Sequence, residues 1–521
     1  MKFFCFALSC LVLLTAGCSV TSYQNSADRQ VEKILQEKQG QVKKSSGQIP
    51  GLSFQTEPET SFLKLKDALV LAARSNRDYQ SRKEDVYLKA LELTSKRFQY
   101  SWQAEEKGSI GWQKDGQQQW AATSNFQLFK WLADGAQITL DMTKDFLQFF
   151  TGDKSKSFQS ILQLNLLQPL LRGCGRRIVQ ENLTQAEREV VYQMRSFLRY
   201  QRSFSVQVAR QYFQLLLAGD TLENNRANYL FLKQARERIE MLAESGRLPP
   251  LQADQARQNE LQAYQSWLKA VNDYQSGLDN FRTFLSLPLN QPVVLDKEIL
   301  TNLLAKGTPE PGREKNEFLQ AALSNRLDLL TAADRLEDAK RKVQVARDNL
   351  RNYLSLTINL SSSTEESQHP TFGFRQPTCG AGLEFSFPFS RVQERNAYVE
   401  SLINLERKQR ELFLTRDNIA AEVAESYRRL QEAYQTYLIQ KSSLALAERR
   451  VESTDLLLQA GRATTRDLLE AQDAFIRARN GLSAAVINYQ ITYLELLCEA
   501  EMLEVDDTGV WKGDLYEKTT R

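Results

Sequence analysis

Ala460-Gly461-Arg462-Ala463-Thr464-Thr465-Arg466-Asp467-Leu468-Leu469-Glu470-Ala471 joins two long stretches of helical periodicity. A glycine that ends one apolar period and precedes another marks a helix end and a fresh start. The stretch is therefore the turn of a long helical hairpin. Ser245-Gly246-Arg247-Leu248-Pro249-Pro250 is a second such turn, and its prolines suit the opening of a helix, where a missing N–H costs little. The two turns share more than a glycine. Gly246-Arg247, Ala256, Ala263, Ala270 and Tyr274 find Gly461-Arg462, Ala471, Ala478, Ala485 and Tyr489 at one constant offset. Ala72-Ala73-Arg74-Ser75-Asn76-Arg77 likewise matches Ala321-Ala322-Leu323-Ser324-Asn325-Arg326. One such match could be chance, but a whole register is an internal duplication.

Working outward from the turns, each repeat has the order helix, strands, long helix, turn, helix. In the first, residues 61 to about 100 are helical in pattern, with Leu65, Leu69 and Ala72 on one face. Period two then takes over. Ile138, Leu140 and Met142 alternate with Gln137, Thr139 and Asp141, and Leu162, Leu164 and Leu166 alternate with Gln163 and Asn165. Asp134-Gly135 is a turn signal ahead of the first of these strands. A helix is expected from about Arg177 to Glu244 and another from the Gly246 turn to about Leu285. Residues 287–316 hold four prolines and are expected to be a connector between repeat 1 (61–286) and repeat 2 (317–504).

Repeat 2 starts with a helix from about Glu317 to Asn352. Leu354, Leu356, Ile358 and Leu360 then alternate with polar residues, as do Leu383, Phe385, Phe387 and Phe389. A helix from about Gln393 to Gln459 leads to the Gly461 turn and a last helix near Leu503, before a tail at 505–521. A long helix of this size measures about 100 Å at 1.5 Å per residue, and two short ones end to end roughly equal it. A rod-like bundle with strands at one end and tips at the other is expected. Ile419, Val423, Tyr427, Leu430, Tyr434 and Tyr437 keep spacings of four and three, a coiled-coil seam.

Composition excludes more than it suggests. With 67 basic against 64 acidic residues there is no footprint for nucleic acid. His369 is the only histidine, which removes triads, histidine-ligated zinc and histidine bases. No carboxylate pair stands apart from the solvated helix faces, so an enzyme, a cofactor and a metal site are not expected. Cys174, Cys379 and Cys498 are scattered without a CxxC, giving no disulfide framework.

Residues 1–17 carry Lys2, an apolar run from Phe3 to Leu14 and then small residues, as a secretory signal does. Leu14-Thr15-Ala16-Gly17-Cys18 resembles a bacterial lipoprotein cleavage box, with Cys18 as the lipidated residue. Thr15 departs from the usual larger aliphatic residue. Ser19 follows in place of the aspartate that retains lipoproteins at the inner membrane in enteric bacteria, which favours the outer membrane. Residues 18–60 are polar and are expected to be an extended tether. No later stretch reaches the roughly 18 apolar residues of a membrane helix, so any crossing must use strands.

These features together resemble the TolC-like outer membrane factor family, lipoprotein branch, over residues 62–503. The resemblance rests on Leu69-x-x-Ala72-x-x-Ser75-Asn76, on Leu164-x-x-x-Gln168-Pro169-Leu170-Leu171-Arg172-Gly173, on Gly461 to Ala471, and on the duplicated order. It implies a mainly α fold with a β-barrel portion: a homotrimer whose helices form a periplasmic α-barrel and whose strands, four per chain, form one outer-membrane β-barrel. Leu162–Leu166, Leu354–Leu360 and Leu383–Phe389 supply three strands, and one near Ser109–Gln113 would complete them. Residues 120–147 look like an additional hairpin that either extends the barrel or forms an outer loop.

The resemblance also implies a passive exit duct, working with a periplasmic adaptor and an inner-membrane transporter in efflux or type I secretion. Adaptors would dock at Gly246, Arg247, Gly461 and Arg462. Asp467 and Glu470, three apart on one helix face, would ring the periplasmic aperture with carboxylates. The pattern departs at Gln252, where the best-known members carry an aspartate, and at Leu458 and Ala463, which replace a latching tyrosine and arginine. Closure through Arg462 or Arg466 would be the substitute. Two other readings are a periplasmic adaptor or helical scaffold lipoprotein, which has one hairpin instead of two, and a carboxylate-based envelope hydrolase.

Overall fold

The computed structural model describes residues 20–41, 63–115, 117–149, 156–365, 375–506 and 509–511. Two compact units divide the chain, the boundaries falling inside four of its helices. The signal segment and Cys18 lie outside the described residues.

The first unit is built on one antiparallel sheet of six strands in sequence order: β1 (Gln103–Asp115), β2 (Gln117–Trp131), β3 (Gln137–Phe149), β4 (Lys156–Pro169), β5 (Tyr353–Ser363) and β6 (Thr378–Ser386). The additional hairpin is β2–β3, and it lies inside the sheet between β1 and β4. Of the two readings left open for it, the hairpin thus extends the sheet, which holds six strands among the described residues. Leu140 and Met142 of β3 pair with Leu164 and Leu162 of β4, so the hairpin continues the apolar face of its neighbours. β6 ends at Ser386, short of the Phe387 and Phe389 expected in it. Pro388 has no N–H to give a ladder, which is reason enough for the strand to stop.

The Asp134-Gly135 turn is where it was expected, and it is anchored. Leu132 N–H donates to Ala136 O at 2.8 Å, Asp134 Oδ1 accepts from Ala136 N–H, and Gly175 N–H donates to Asp134 O at 3.0 Å. Gly135 has φ +100°, and a methyl group there would lie 2.6 Å from Gly173 O. Only glycine fits this approach.

The tether expectation fails between Val20 and Gln39, which form helix α1. Val31 and Ile34, three apart, are buried, and the buried Lys38 ammonium meets Glu187 at 3.1 Å. Glu37 also pairs with Arg97. The stretch is polar overall but amphipathic, and two apolar residues with charged partners suffice to seat it.

The short helix expected at the start of each repeat is in fact two. In repeat 1, α2 (Leu65–Ser75) and α3 (Arg77–Gln99) meet at Asn76; in repeat 2, α8 (Lys315–Asn325) and α9 (Leu327–Asn349) meet at Arg326. Asn76 (φ −66°, ψ 126°) and Arg326 (φ −60°, ψ 124°) are the same extended link. Each ends one helix through its N–H, bonded to Ala72 O or Ala322 O. Each also opens the next helix through its C=O. The backbone thus equates Asn76 with Arg326, one residue away from the register of the matched hexapeptides.

The remaining helices are α4 (Arg176–Val179), α5 (Glu181–Glu244), α6 (Pro250–Phe284), α7 (Glu298–Lys306), α10 (Val392–Gln459) and α11 (Thr465–Glu499). α7 occupies the proline-rich connector, burying Leu300 and Leu303. Residues of the seam expected on α10 pack in an apolar cluster of the second unit: Ile419, Val423 and Leu430 are buried with Tyr489 and Leu496 of α11, and Tyr427 and Tyr434 pack against them. The matched alanines explain their own spacing. Ala256, Ala263 and Ala270 on α6 and Ala471, Ala478 and Ala485 on α11 are all buried, a seven-residue row of small side chains that lets helices approach closely. Among the described residues no helix is long and apolar enough to cross a membrane.

Candidate functional site at the hairpin tips

Both tips end α5 and α10 in the same way. Gly246 (φ 75°) and Gly461 (φ 71°) take the left-handed conformation. Arg247 N–H then reaches back to Leu242 O at 2.9 Å, and Arg462 N–H to Leu457 O at 2.8 Å. This doubles as the closure of the last orphan carbonyls of each helix. A methyl group at either glycine would meet nothing within 4 Å, so the backbone angle alone demands glycine. Gly246, Arg247, Gly461 and Arg462 are all exposed, which leaves two guanidinium groups at the ends of the hairpins.

Asp467 and Glu470 are exposed on one side of α11, while Leu468 and Leu469 between them, and Thr465 before them, are buried. Each carboxylate already has local work. Asp467 closes a capping box: its Oδ2 accepts from Thr464 N–H at 2.9 Å and Thr464 Oγ1 at 2.6 Å, and its own N–H donates to Thr464 Oγ1. The Thr464 side-chain bond, followed by the Thr464 backbone N–H, holds the Asp467 carboxyl below the usual carboxylate range. Arg466, named as a substitute latch, instead pairs with Glu470 at 2.8 Å on the same helix.

What joins the two hairpins had no signal in the sequence beyond one flagged position. Gln252, standing where an aspartate was expected, accepts from Thr465 Oγ1 at 2.9 Å, and Thr465 is fully buried. Further along, Gln472 Nε2 donates to Asn228 Oδ1 at 2.9 Å between two buried side chains. Asn224 Nδ2 donates to Asn480 Oδ1 at 2.8 Å, and Ser483 Oγ to Asp220 Oδ2 at 2.7 Å. Asp220, Asn224 and Asn228 are four apart, one row on α5 facing α11. A row of mostly neutral amides and hydroxyls therefore joins α5 to α11. Leu232, Ala263 and Leu469 form the apolar contact beside them.

A second cluster lies farther from the tips. Arg326, almost fully buried, meets Asp328 at 2.8 Å, Glu422 at 2.7 Å and Glu499 at 3.1 Å, with Arg199 on Asp328 at 3.0 Å. Burial alone would lower the Arg326 pKa, but the bonds to Asp328 and Glu422 raise it on balance. Burial likewise raises the Asp328 carboxyl, and Arg326 and Arg199 bring it below its usual value. Among the described residues no group of three or more histidines, cysteines or carboxylates is placed to hold a metal.

Residues 318–497 match the family model of the outer membrane efflux proteins. No curated protein matches the sequence. Solved structures do match in fold. CusC, studied for folding and transmembrane channel formation, aligns with TM-score 0.62 at 15% identity, over 87% of this chain and 98% of its own. The Campylobacter jejuni CmeC outer membrane channel aligns with TM-score 0.59 at 15% identity, over 90% of this chain and 93% of its own. The open state of the Neisseria gonorrhoeae MtrE outer membrane channel gives TM-score 0.61 at 12% identity, over 89% and 98%.

Proposed function

We propose that this chain is a trimeric outer-membrane channel, the exit duct of a tripartite efflux or type I secretion system. It conducts passively what an inner-membrane transporter expels, and does no bond chemistry of its own. The observation that carries this is the two-faced sheet. Ala104, Leu128, Leu140, Leu164, Leu360 and Cys379 are successive cross-strand partners, a row without a charge or amide from edge to edge. One residue along, Glu105, Gln127, Asp141, Gln163, Ser361 and Thr378 make a wholly polar row on the other face. Apolar residues towards lipid and polar ones towards a wet lumen are what a membrane barrel requires.

The finer assignments belong to the same reading. Cys18 is the lipid anchor in the outer membrane. Adaptor proteins dock on Gly246, Arg247, Gly461 and Arg462, and Asp467 with Glu470 narrows the periplasmic aperture. Measuring the mass of the detergent-extracted protein and its conductance in planar bilayers tests the proposal. Trimers with discrete conductance steps are expected; monomers that leave the bilayer sealed would overturn it.

A further inference from the structure

Resting on the channel reading above, we propose that the β2–β3 hairpin is part of the membrane wall, so that three copies close an eighteen-stranded barrel instead of a twelve-stranded one. The edge strands β1 and β6 then pair with those of neighbouring copies.

Three observations carry this. First, the register is unbroken through the hairpin: β2 pairs with β1 from Gln103↔Phe129 to Asp115↔Gln117, and with β3 from Gln119↔Phe149 to Trp131↔Gln137. An outer loop folded over a four-stranded sheet would leave β1 beside β4, and they are not neighbours here. Second, Leu128 and Leu140 carry the apolar row across the hairpin, and Gln127 and Asp141 carry the polar row. A hairpin outside the wall would have no reason to keep both rows in phase with β1 and β4, because a slip of one residue exchanges the faces. Third, the hairpin turn is fixed at the helical end of the sheet, with Gly135 against Gly173 O and Gly175 N–H on Asp134 O.

The edges then dictate the partner. β1 leaves the helices, since it follows α3, and β6 returns to them ahead of α10, so the two edges run in opposite directions. An edge in lipid leaves N–H and C=O groups unpaired, which hydrocarbon does not tolerate. Six strands cannot close alone around a wet lumen, because about eight already give an interior that side chains fill. Pairing β6 of one copy with β1 of the next keeps the ladder antiparallel and satisfies both edges. At constant strand tilt the diameter grows with strand number, so the wall is about 1.5-fold wider than one built from four strands per copy. Such an exit suits a cargo bulkier than a twelve-stranded wall would release.

Cryo-electron microscopy of the full-length protein in lipid nanodiscs, with the mass of the same sample measured, tests this. A trimer with eighteen wall strands is expected. A trimer with twelve wall strands, and residues 117–149 outside the wall, overturns the inference while leaving the channel reading intact; a particle that is no trimer overturns the channel reading beneath it. In a variant lacking residues 117–155, β1 leads directly to β4 with antiparallel order kept. Its barrel is expected to shrink to about two-thirds of the full-length diameter, and an unchanged diameter would overturn the inference.

Discussion

Replacing Gln472 by leucine separates the two hairpins at one defined bond. Asn228 and Gln472 are 8% and 5% exposed and joined by a 2.9 Å hydrogen bond between their amides. Leucine keeps most of the glutamine stem's volume, so little packing is lost, but the Asn228 amide is left buried without its partner. That costs about 1–3 kcal/mol. Asn228→Leu strands the Gln472 amide at similar cost. The double substitution removes both polar groups and returns close to neutral, so the cycle reports a coupling of about 2 kcal/mol or more. Hydrogen exchange in the first turns of α11 measures it locally, without unfolding the whole chain. Each single variant is expected to exchange about 30-fold faster there, as about 2 kcal/mol implies, and the double variant to recover most of the protection. Single variants that exchange like the parent, or a double variant that costs the sum of both, would refute the role of this bond in joining the hairpins.

Arg326→Met leaves Asp328, Glu422 and Glu499 facing one another with only Arg199 nearby. A loss of about 3 kcal/mol is expected, the low end for a broken buried pair because Glu422 is half in water; a change below 1 kcal/mol in chemical denaturation would count against the cluster. Its pH dependence has a definite sign. The folded Asp328 pKa lies below the unfolded one, so its stabilisation is complete above about pH 4 and disappears as the pH falls through the lowered value. The parent should therefore lose more stability than the methionine variant in that acid range, and parallel curves would contradict it. Gly135→Val sets a side chain against Gly173 O at a positive φ. It is expected to cost more than about 2 kcal/mol and to reduce the assembled trimer in membranes; normal assembly would show that the turn is not anchored. Cysteines placed singly at Ala104, Glu106, Gly108 and Ile110 share a face with the native Cys379 on the opposite edge of the sheet. One of these positions should give an inter-chain disulfide, while monomers at all four would argue against β1–β6 pairing.

The parts legible in the sequence were those where one period dominates. Leu162 to Leu166 and Leu354 to Leu360 alternate cleanly, and the alanines at 256, 263 and 270 repeat at 471, 478 and 485, so strands and duplication were both apparent. β1 was harder to place, because Lys107, Gly108 and Ser109 dilute its alternation, and the place of β2–β3 in the sheet depends on pairing, which no single strand encodes. The breaks at Asn76 and Arg326 carry neither glycine nor proline. They exist because the extended link is held by Asn76 on the Phe284 carbonyl and by Arg326 on Glu422 and Glu499, all distant in the chain. The amide row between α5 and α11 was invisible for the same reason: Asn228 and Gln472 are 244 residues apart. Gln252 was visible only as a departure, and its bond to Thr465 gives that departure a physical purpose.

In the proposed channel the sheet stands in the membrane with one face on lipid and the other on water. Substituted-cysteine labelling along β4 tests it most directly. With the native cysteines replaced by serine, single cysteines are placed from Leu162 to Leu166 and exposed to a charged thiol reagent in intact outer membranes. A period of two is expected: Gln163 and Asn165 positions labelled, Leu162, Leu164 and Leu166 positions protected. Uniform labelling of both faces would place this sheet in water and contradict the account.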